Sequence, residues 1–295
     1  MQTPIWNGRR EKSALMLFLL PGLLGTLVFF LIPFLGGIYF SLTDGSAPAR
    51  FIGFANYTAV WGNSMFQLGL KNSLTLSLLC APAVWVMGFF IAALLAGLKS
   101  GANTLRNSML LPYMMPSSAV ILIWLLLFDY GGPLNRVLNS LGLGRVNFLF
   151  GGAMRLPVVL LFIWKNLGLA VLIYLSAMQA VPEALYEYAR LEGAGFFRQC
   201  FSITLPYILP TAFLVLILQW VNAFKIFKEV YFIGGAYPEL EVYTLQNYIN
   251  NMYGKLNYQN VTTAAYSFAV IVFAFFGLLY AIERKAAGAA EGDAA

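Results

Sequence analysis

Residues 187–206 read EYARLEGAGFFRQCFSITLP. The stretch holds Glu187, Arg190, Glu192 and Arg198, is split by Gly193 and Gly195, and ends on Pro206, in a chain only 10% charged. Upstream, Lys165 alone interrupts the uncharged run from Arg155 to Glu183; downstream, no charge occurs between Arg198 and Lys225. A membrane-spanning helix needs about 20 apolar residues, and each flank supplies them. The charged stretch is therefore a short polar element joining two spans.

Working outward, further uncharged intervals run from Lys12 to Asp44, Lys71 to Lys99, Arg106 to Asp129 and Lys255 to Glu283. Spans are expected near 14–40, 72–97, 107–128, 157–178, 205–224 and 260–282. The fold class is an all-α polytopic membrane protein with six transmembrane helices. Its 295 residues are 60% hydrophobic, against about 45–50% apolar for a soluble domain. The net charge of +6 is spread along the chain and forms no nucleic-acid patch. The chain has no His, which removes His-dependent triads and most zinc or haem sites. No catalytic or metal-ligating set is expected. Cys80 and Cys200 fall at different depths, so no disulfide is expected.

Arg9, Arg10 and Lys12 precede the first span, which is far longer than the roughly 7–15-residue core of a signal peptide. An uncleaved helix is expected, kinked at Pro21 and Pro33. Basic residues are denser in the segments that lie inside if both termini are cytoplasmic, so residues 187–206 face the cytoplasm. The expected divisions are 1–70 (N-terminal segment, first span and external loop), 71–285 (transmembrane core, with the polar element at 182–204) and 286–295 (a disordered cytoplasmic tail).

Within the polar element Pro182 suits a helix start, and Glu183 and Glu187 suit the positive end of its dipole. Nothing breaks a helix before Glu192, and Ala184, Tyr188 and Leu191 share one face. Gly193 and Gly195 permit a turn, after which a second short helix spans 196–202. The product is a rigid helix–turn–helix knob. The alternative is an interfacial loop with Phe196, Phe197 and Phe201 among lipid headgroups.

EYARLEGAGFFRQCFSITLP, preceded by VPEALY, resembles the EAA loop of permease subunits of binding-protein-dependent ABC importers, carbohydrate (maltose, multiple-sugar or glycerol-phosphate) subfamily. Glu187, Ala189, Gly193, Ile203, Leu205 and Pro206 match the Glu-Ala-Ala…Gly…Ile-x-Leu-Pro pattern in order and spacing. Tyr188 replaces the first Ala, and Glu192 stands where Asp is common. FLLPGLLGTLVFFLIPFLGGIYFSLTD (18–44), FIGFANYTAVW (51–61), KNSLTLSLL (71–79) and FKIFKEVYFIGG (224–235) resemble other parts of that family. AYPELEVYTLQNYINNMY (236–253) departs from it.

The resemblance implies a type I ABC importer permease fold whose cytoplasmic coupling helix docks in a cleft of an ATPase subunit. Glu187, Tyr188, Ala189, Leu191, Gly193, Ala194, Leu205 and Pro206 are the implied coupling residues. It also implies a homologous second permease, two ATPase subunits carrying ATP and Mg, an extracytoplasmic solute-binding protein, a sugar substrate, and residence in the bacterial cytoplasmic membrane. This chain would bind no cofactor of its own; it has no G-x-x-x-x-G-K-[ST] phosphate loop.

Polar residues inside spans are candidates for a substrate path, because they cost free energy in lipid. Lys165 lies roughly 14 Å into span four at about 1.5 Å per residue. An ammonium there costs roughly 2.5–3.5 kcal/mol on insertion scales. No acidic residue is expected to share the membrane with it, so it should face a hydrated cavity or a partner subunit. Asn166 and Gly168 accompany it, Gly168 allowing a ligand or backbone close. In span five Gln219 and Asn222 share a face, and amides suit sugar hydroxyls. Trp164 and Trp220 could stack on a sugar ring. Lys165 favours an anionic sugar and the amides a neutral one, and the sequence leaves both open.

A self-sufficient secondary transporter is the rival reading. It lacks support from internal repeats or from carboxylates within the expected spans. An intramembrane enzyme would have only Ser, Lys and Tyr to work with.

Overall fold

The computed structural model describes residues 9–98 and 102–292. In chain order the helices are α1 (Arg9–Thr26), α2 (Ile32–Ser41), α3 (Ala55–Trp61), α4 (Ser64–Ala96), α5 (Ala102–Met114), α6 (Ser117–Phe128), α7 (Pro133–Ser140) and α8 (Arg155–Met178). They continue with α9 (Glu183–Leu191), α10 (Phe196–Gln199), α11 (Leu205–Tyr207), α12 (Leu209–Phe224), α13 (Phe227–Gly234), α14 (Leu245–Gly254) and α15 (Tyr258–Gly292). Among the described residues there is no strand, only an isolated bridge between Thr43 and Phe51.

Six stretches are long and apolar enough to cross a membrane: Leu15–Ser41, Ser64–Ala96, Ser117–Ser140, Gly151–Met178, Leu209–Gly234 and Tyr258–Ile282. Where no water reaches the backbone, a helix is the way one segment satisfies its own N–H and C=O groups. The number matches the sequence reading; several boundaries do not. The span expected at 107–128 is broken: α5 stops at Met114 and α6 begins at Ser117. Pro116 is the cause, since proline disfavours helix in the residue before it and donates no N–H. The fifth span runs past Lys225 to Gly234 rather than ending at Phe224. The expected disordered tail is helical through Gly292, in keeping with the alanine content of residues 286–290. Lys99 and residues 293–295 lie outside the described residues.

Two prolines are accommodated alike. A π-helical stretch, Leu27–Leu31, precedes Pro33, and the Ile32 N–H bonds to the Leu27 carbonyl. A second, Cys200–Thr204, precedes Pro206, and the Leu205 N–H bonds to the Cys200 carbonyl. In each case the widened turn sits where the proline ring would clash with the preceding α-helical turn.

The chain forms two compact units. The first comprises the chain up to Asn63 together with Met252–Ala269; the sequence reading had placed 252–269 in the core. What binds it there is local. Tyr266 donates its hydroxyl to the Phe34 carbonyl, its ring meets Phe34 edge-on at 5.2 Å, and it lies over Gly37. Trp61 reaches Ser267 at 3.1 Å. Asn56, in the FIGFANYTAVW stretch, donates to the Ser41 and Thr43 carbonyls at 3.0 and 2.9 Å. It thereby satisfies carbonyls that the end of α2 leaves free.

The second unit comprises Ser64–Asn251 and the chain from Val270 onward. Its centre is α4 packed on α8 and α12. Cys80, Val84, Ala92, Ala170, Val171, Tyr174 and Val215 are wholly buried there. Lipid tails are as apolar as these side chains, so close packing supplies the attraction. Gly88 is the point of closest approach: a β-carbon there would lie 3.0 Å from that of Ala170. Trp85 donates its indole N–H to the Ala212 carbonyl at 2.7 Å, tying α4 to α12.

Candidate functional site

Helix α9 starts after Pro182, carries Glu183 in its first turn, and ends in a tight hydrogen-bonded turn. The Ala194 N–H reaches back to the Ala189 carbonyl at 2.8 Å and the Gly193 N–H to the Arg190 carbonyl at 3.1 Å. This pairing is the Schellman motif, which needs a left-handed residue. Gly193 supplies it with φ +76° and open space around it. The backbone angle, not crowding, calls for glycine here. Gly195, by contrast, is extended (φ −71°, ψ 172°), a conformation open to any residue.

The knob is braced from within. The hydroxyls of Tyr186 and Thr204 share a hydrogen bond of 2.9 Å, and Gln199 donates to the Ala194 carbonyl at 2.7 Å. Phe197 and Phe201 each meet the Phe90 ring of α4 edge-on at 6.0 Å. Both rings nonetheless remain exposed, Phe197 to 65% and Phe201 to 54%. Cys200 is buried and free, and burial pushes its thiol pKa up.

The predicted coupling residues divide into two groups. Glu187, Tyr188 and Leu191 are exposed, Tyr188 to 68% and Leu191 to 85%. Ala189, Ala194 and Leu205 are half-buried, and Leu205 packs on the core below. Leu205 therefore anchors the knob, while Gly193 and Pro206 are exposed.

The membrane residues are also partly regrouped. Lys165 of α8 lies 3.4 Å from Glu229 of α13, with both side chains 13% exposed, and it donates to the Ser117 hydroxyl of α6. The expectation that no acidic residue shares the membrane with Lys165 is therefore overturned. The sequence reading closed span five at the first charge, Lys225, and so left Glu229 outside. The apolar pattern of Ile226, Phe227, Val230, Tyr231 and Ile233 was the signal that helix resumes.

Asn166 donates to the Phe162 carbonyl at 2.9 Å and accepts from the Asn222 amide at 3.2 Å, which joins α8 to α12. Gln219, three residues before Asn222, is fully buried with neither amide atom hydrogen-bonded. Gly168 is not open to a ligand: a β-carbon there would overlap the Met109 carbonyl of α5. It is a helix-crossing glycine. The two tryptophans lie against aromatic neighbours, Trp220 buried and Trp164 still 39% exposed. Trp164 lies on Trp124 at 5.6 Å, and Trp220 on Phe275 at 4.3 Å.

A polar cluster absent from the sequence reading holds the segment after α13. Asn72 donates to the Leu240 and Tyr243 carbonyls at 2.6 and 3.0 Å. Arg155 donates to Asn72 Oδ1 at 3.2 Å and to the Glu241 carbonyl at 2.8 Å. Ser73 accepts from the Leu245 N–H at 2.9 Å. One end of α4 thus carries a rigid loop made from the stretch where the sequence departs from the family it resembles.

Residues 85–287 match the family described as "Binding-protein-dependent transport system inner membrane component". The chain is 36% identical over 214 residues to the sulfoquinovosyl glycerol transport system permease protein of Agrobacterium fabrum, covering 71% of this chain and 68% of that one. It is 30% identical over 234 residues to the trehalose/maltose transport system permease protein of Thermococcus litoralis, covering 78% and 79%. In fold it is similar to a chain of a bacterial ABC transporter involved in import of the acidic polysaccharide alginate. The TM-score is 0.83 at 24% identity, over 94% of this chain and 96% of that one.

Proposed function

Since the chain belongs to the family of inner membrane components of binding-protein-dependent transport systems, we propose that it forms half of the pathway of an ATP-driven sugar importer, coupled to separate ATPase subunits through α9. The observation that carries this reading is the rigid knob with an exposed outer face. Tyr188 and Leu191 present large apolar surfaces beside the Glu187 carboxylate. Exposed apolar patches of this kind mark partner surfaces. The Schellman turn and the Tyr186–Thr204 bond keep the face in one orientation.

In this reading the knob and both termini are cytoplasmic and the membrane is the bacterial inner one. A homologous permease supplies the other half, two ATPases bind ATP and Mg, and an external binding protein delivers the sugar. Asn166 and Asn222, both partly exposed, line the path on this chain, with Gln219 buried three residues before Asn222 on the same helix. Glu229 does not revive an ion-coupled transporter, because its carboxylate is engaged by Lys165.

Cysteine cross-linking tests the coupling. Both native cysteines are buried, so a Leu191→Cys variant presents one accessible thiol. A bifunctional reagent should join that thiol to a co-expressed ATPase subunit. Failure to capture any ATPase, or solute accumulation by vesicles holding this chain alone, refutes the reading.

A further inference from the structure

We propose that Glu229 sets the charge preference of the pathway: by neutralising Lys165, it makes this permease select uncharged sugars over anionic ones. The inference rests on the importer reading and narrows its substrate class. The names of the relatives do not decide the matter, since they cover both neutral and acidic sugars.

The argument is electrostatic. Lys165 adjoins Asn166, whose amide bonds to Asn222 across α8 and α12. An isolated ammonium at this depth would draw anions from many ångströms away, because its field is weakly screened in a low dielectric. Here Glu229 lies 3.4 Å from it, with both groups largely buried. A pair that close presents only a dipole, whose field falls off much faster than that of a charge. An anionic ligand approaching Lys165 would also be repelled by the Glu229 carboxylate. Lys225 and Lys228 are exposed and leave the balance within the pair unchanged. The partly exposed amides of Asn166 and Asn222 suit a neutral polyol, since each can both donate and accept.

The test uses the complete transporter in nanodiscs, without its binding protein. Binding of maltose and of digalacturonate is followed through tryptophan fluorescence, Trp164 being adjacent to Lys165. The wild type should bind maltose at least about tenfold more tightly than digalacturonate, a difference of roughly 1.4 kcal/mol. Glu229→Gln should erase or reverse that preference. The double variant Lys165→Gln/Glu229→Gln should restore it, which separates charge from structural damage. Should Glu229→Gln fail to fold, the exchanged pair Lys165→Glu/Glu229→Lys replaces it, with the wild-type preference expected. An unchanged preference in folded Glu229→Gln, a lost preference in the double or exchanged variants, or equal binding of both sugars by the wild type overturns the proposal. Binding of neither sugar overturns the sugar-path reading itself, and this inference with it.

Discussion

Gly168 of α8 rests directly against the backbone carbonyl of Met109 in α5, with no room for a β-carbon. Protein interiors do not yield freely to added volume, and overpacking costs about 1–3 kcal/mol. Gly168→Val should lower the unfolding midpoint of the detergent-solubilised protein by at least that equivalent. Gly25→Ala should not lower it, because nothing lies within 4 Å of a β-carbon there.

The Lys165–Glu229 pair should show strong coupling in a double-mutant cycle. Removing one member leaves the other charged and largely buried, which costs about 3–5 kcal/mol. Replacing both by methionine should recover most of that loss. Denaturant unfolding in mixed micelles gives the three values, and additive single and double effects would contradict the pairing.

Gln219 buries an amide without a hydrogen bond, a cost of about 1–3 kcal/mol. Gln219→Leu should therefore be neutral or stabilising in thermal unfolding, yet depress ATP-dependent sugar uptake. A stability loss above about 1 kcal/mol would mean that the amide has a partner in the folded protein.

The knob separates shape from contact. Gly193→Val forces a β-branched side chain into a left-handed backbone, which costs about 1–2 kcal/mol, and should abolish transport-coupled ATP hydrolysis. Glu187→Lys and Leu191→Asp change exposed residues and should leave the unfolding midpoint in place. Both should still release the ATPase during affinity purification.

Asp44 lies in the loop after α2, where it accepts bonds from the Arg50 N–H, the Ser46 hydroxyl and the Ser46 N–H. These hold its pKa down to about 2, below the usual 3.8. A depressed carboxylate stabilises the loop above its unfolded value, and that stability disappears as pH falls through the folded one. The protection of the Ser46 and Arg50 amides, taken relative to the intrinsic exchange rate at each pH, should fall between about pH 4 and pH 2. Asp44→Asn should remove that pH dependence of protection.

The spans were legible because charge is excluded from lipid, and the knob because Pro182 and Gly193 mark helix ends through backbone geometry alone. Pro116 was equally visible, but an uncharged run hides a helix break when charge is the only ruler. Glu229 shows the opposite error: a paired carboxylate can enter a span, and pairing across α8 and α13 leaves no trace in linear order. Gly168 carried the right warning of close approach, though which surface approached depended on how α5 crosses α8. Asn72 and Arg155 look like ordinary span-flanking polar residues until the loop from Leu240 to Leu245 folds back onto them.

Phe90 receives the rings of both Phe197 and Phe201, so the knob leans on one end of α4. That helix is 33 residues long, roughly 50 Å at 1.5 Å per residue. Phe90 and Asn72 are separated by roughly 27 Å of that axis, so a tilt of about 5° at the phenylalanine end would move Asn72 through roughly 2 Å. There Asn72 and Ser73 grip the loop carrying Leu240 and Leu245. The aromatic seat and the gripped loop are thus fastened to the two ends of one continuous rod, so a tilt imposed at either end is felt at the other.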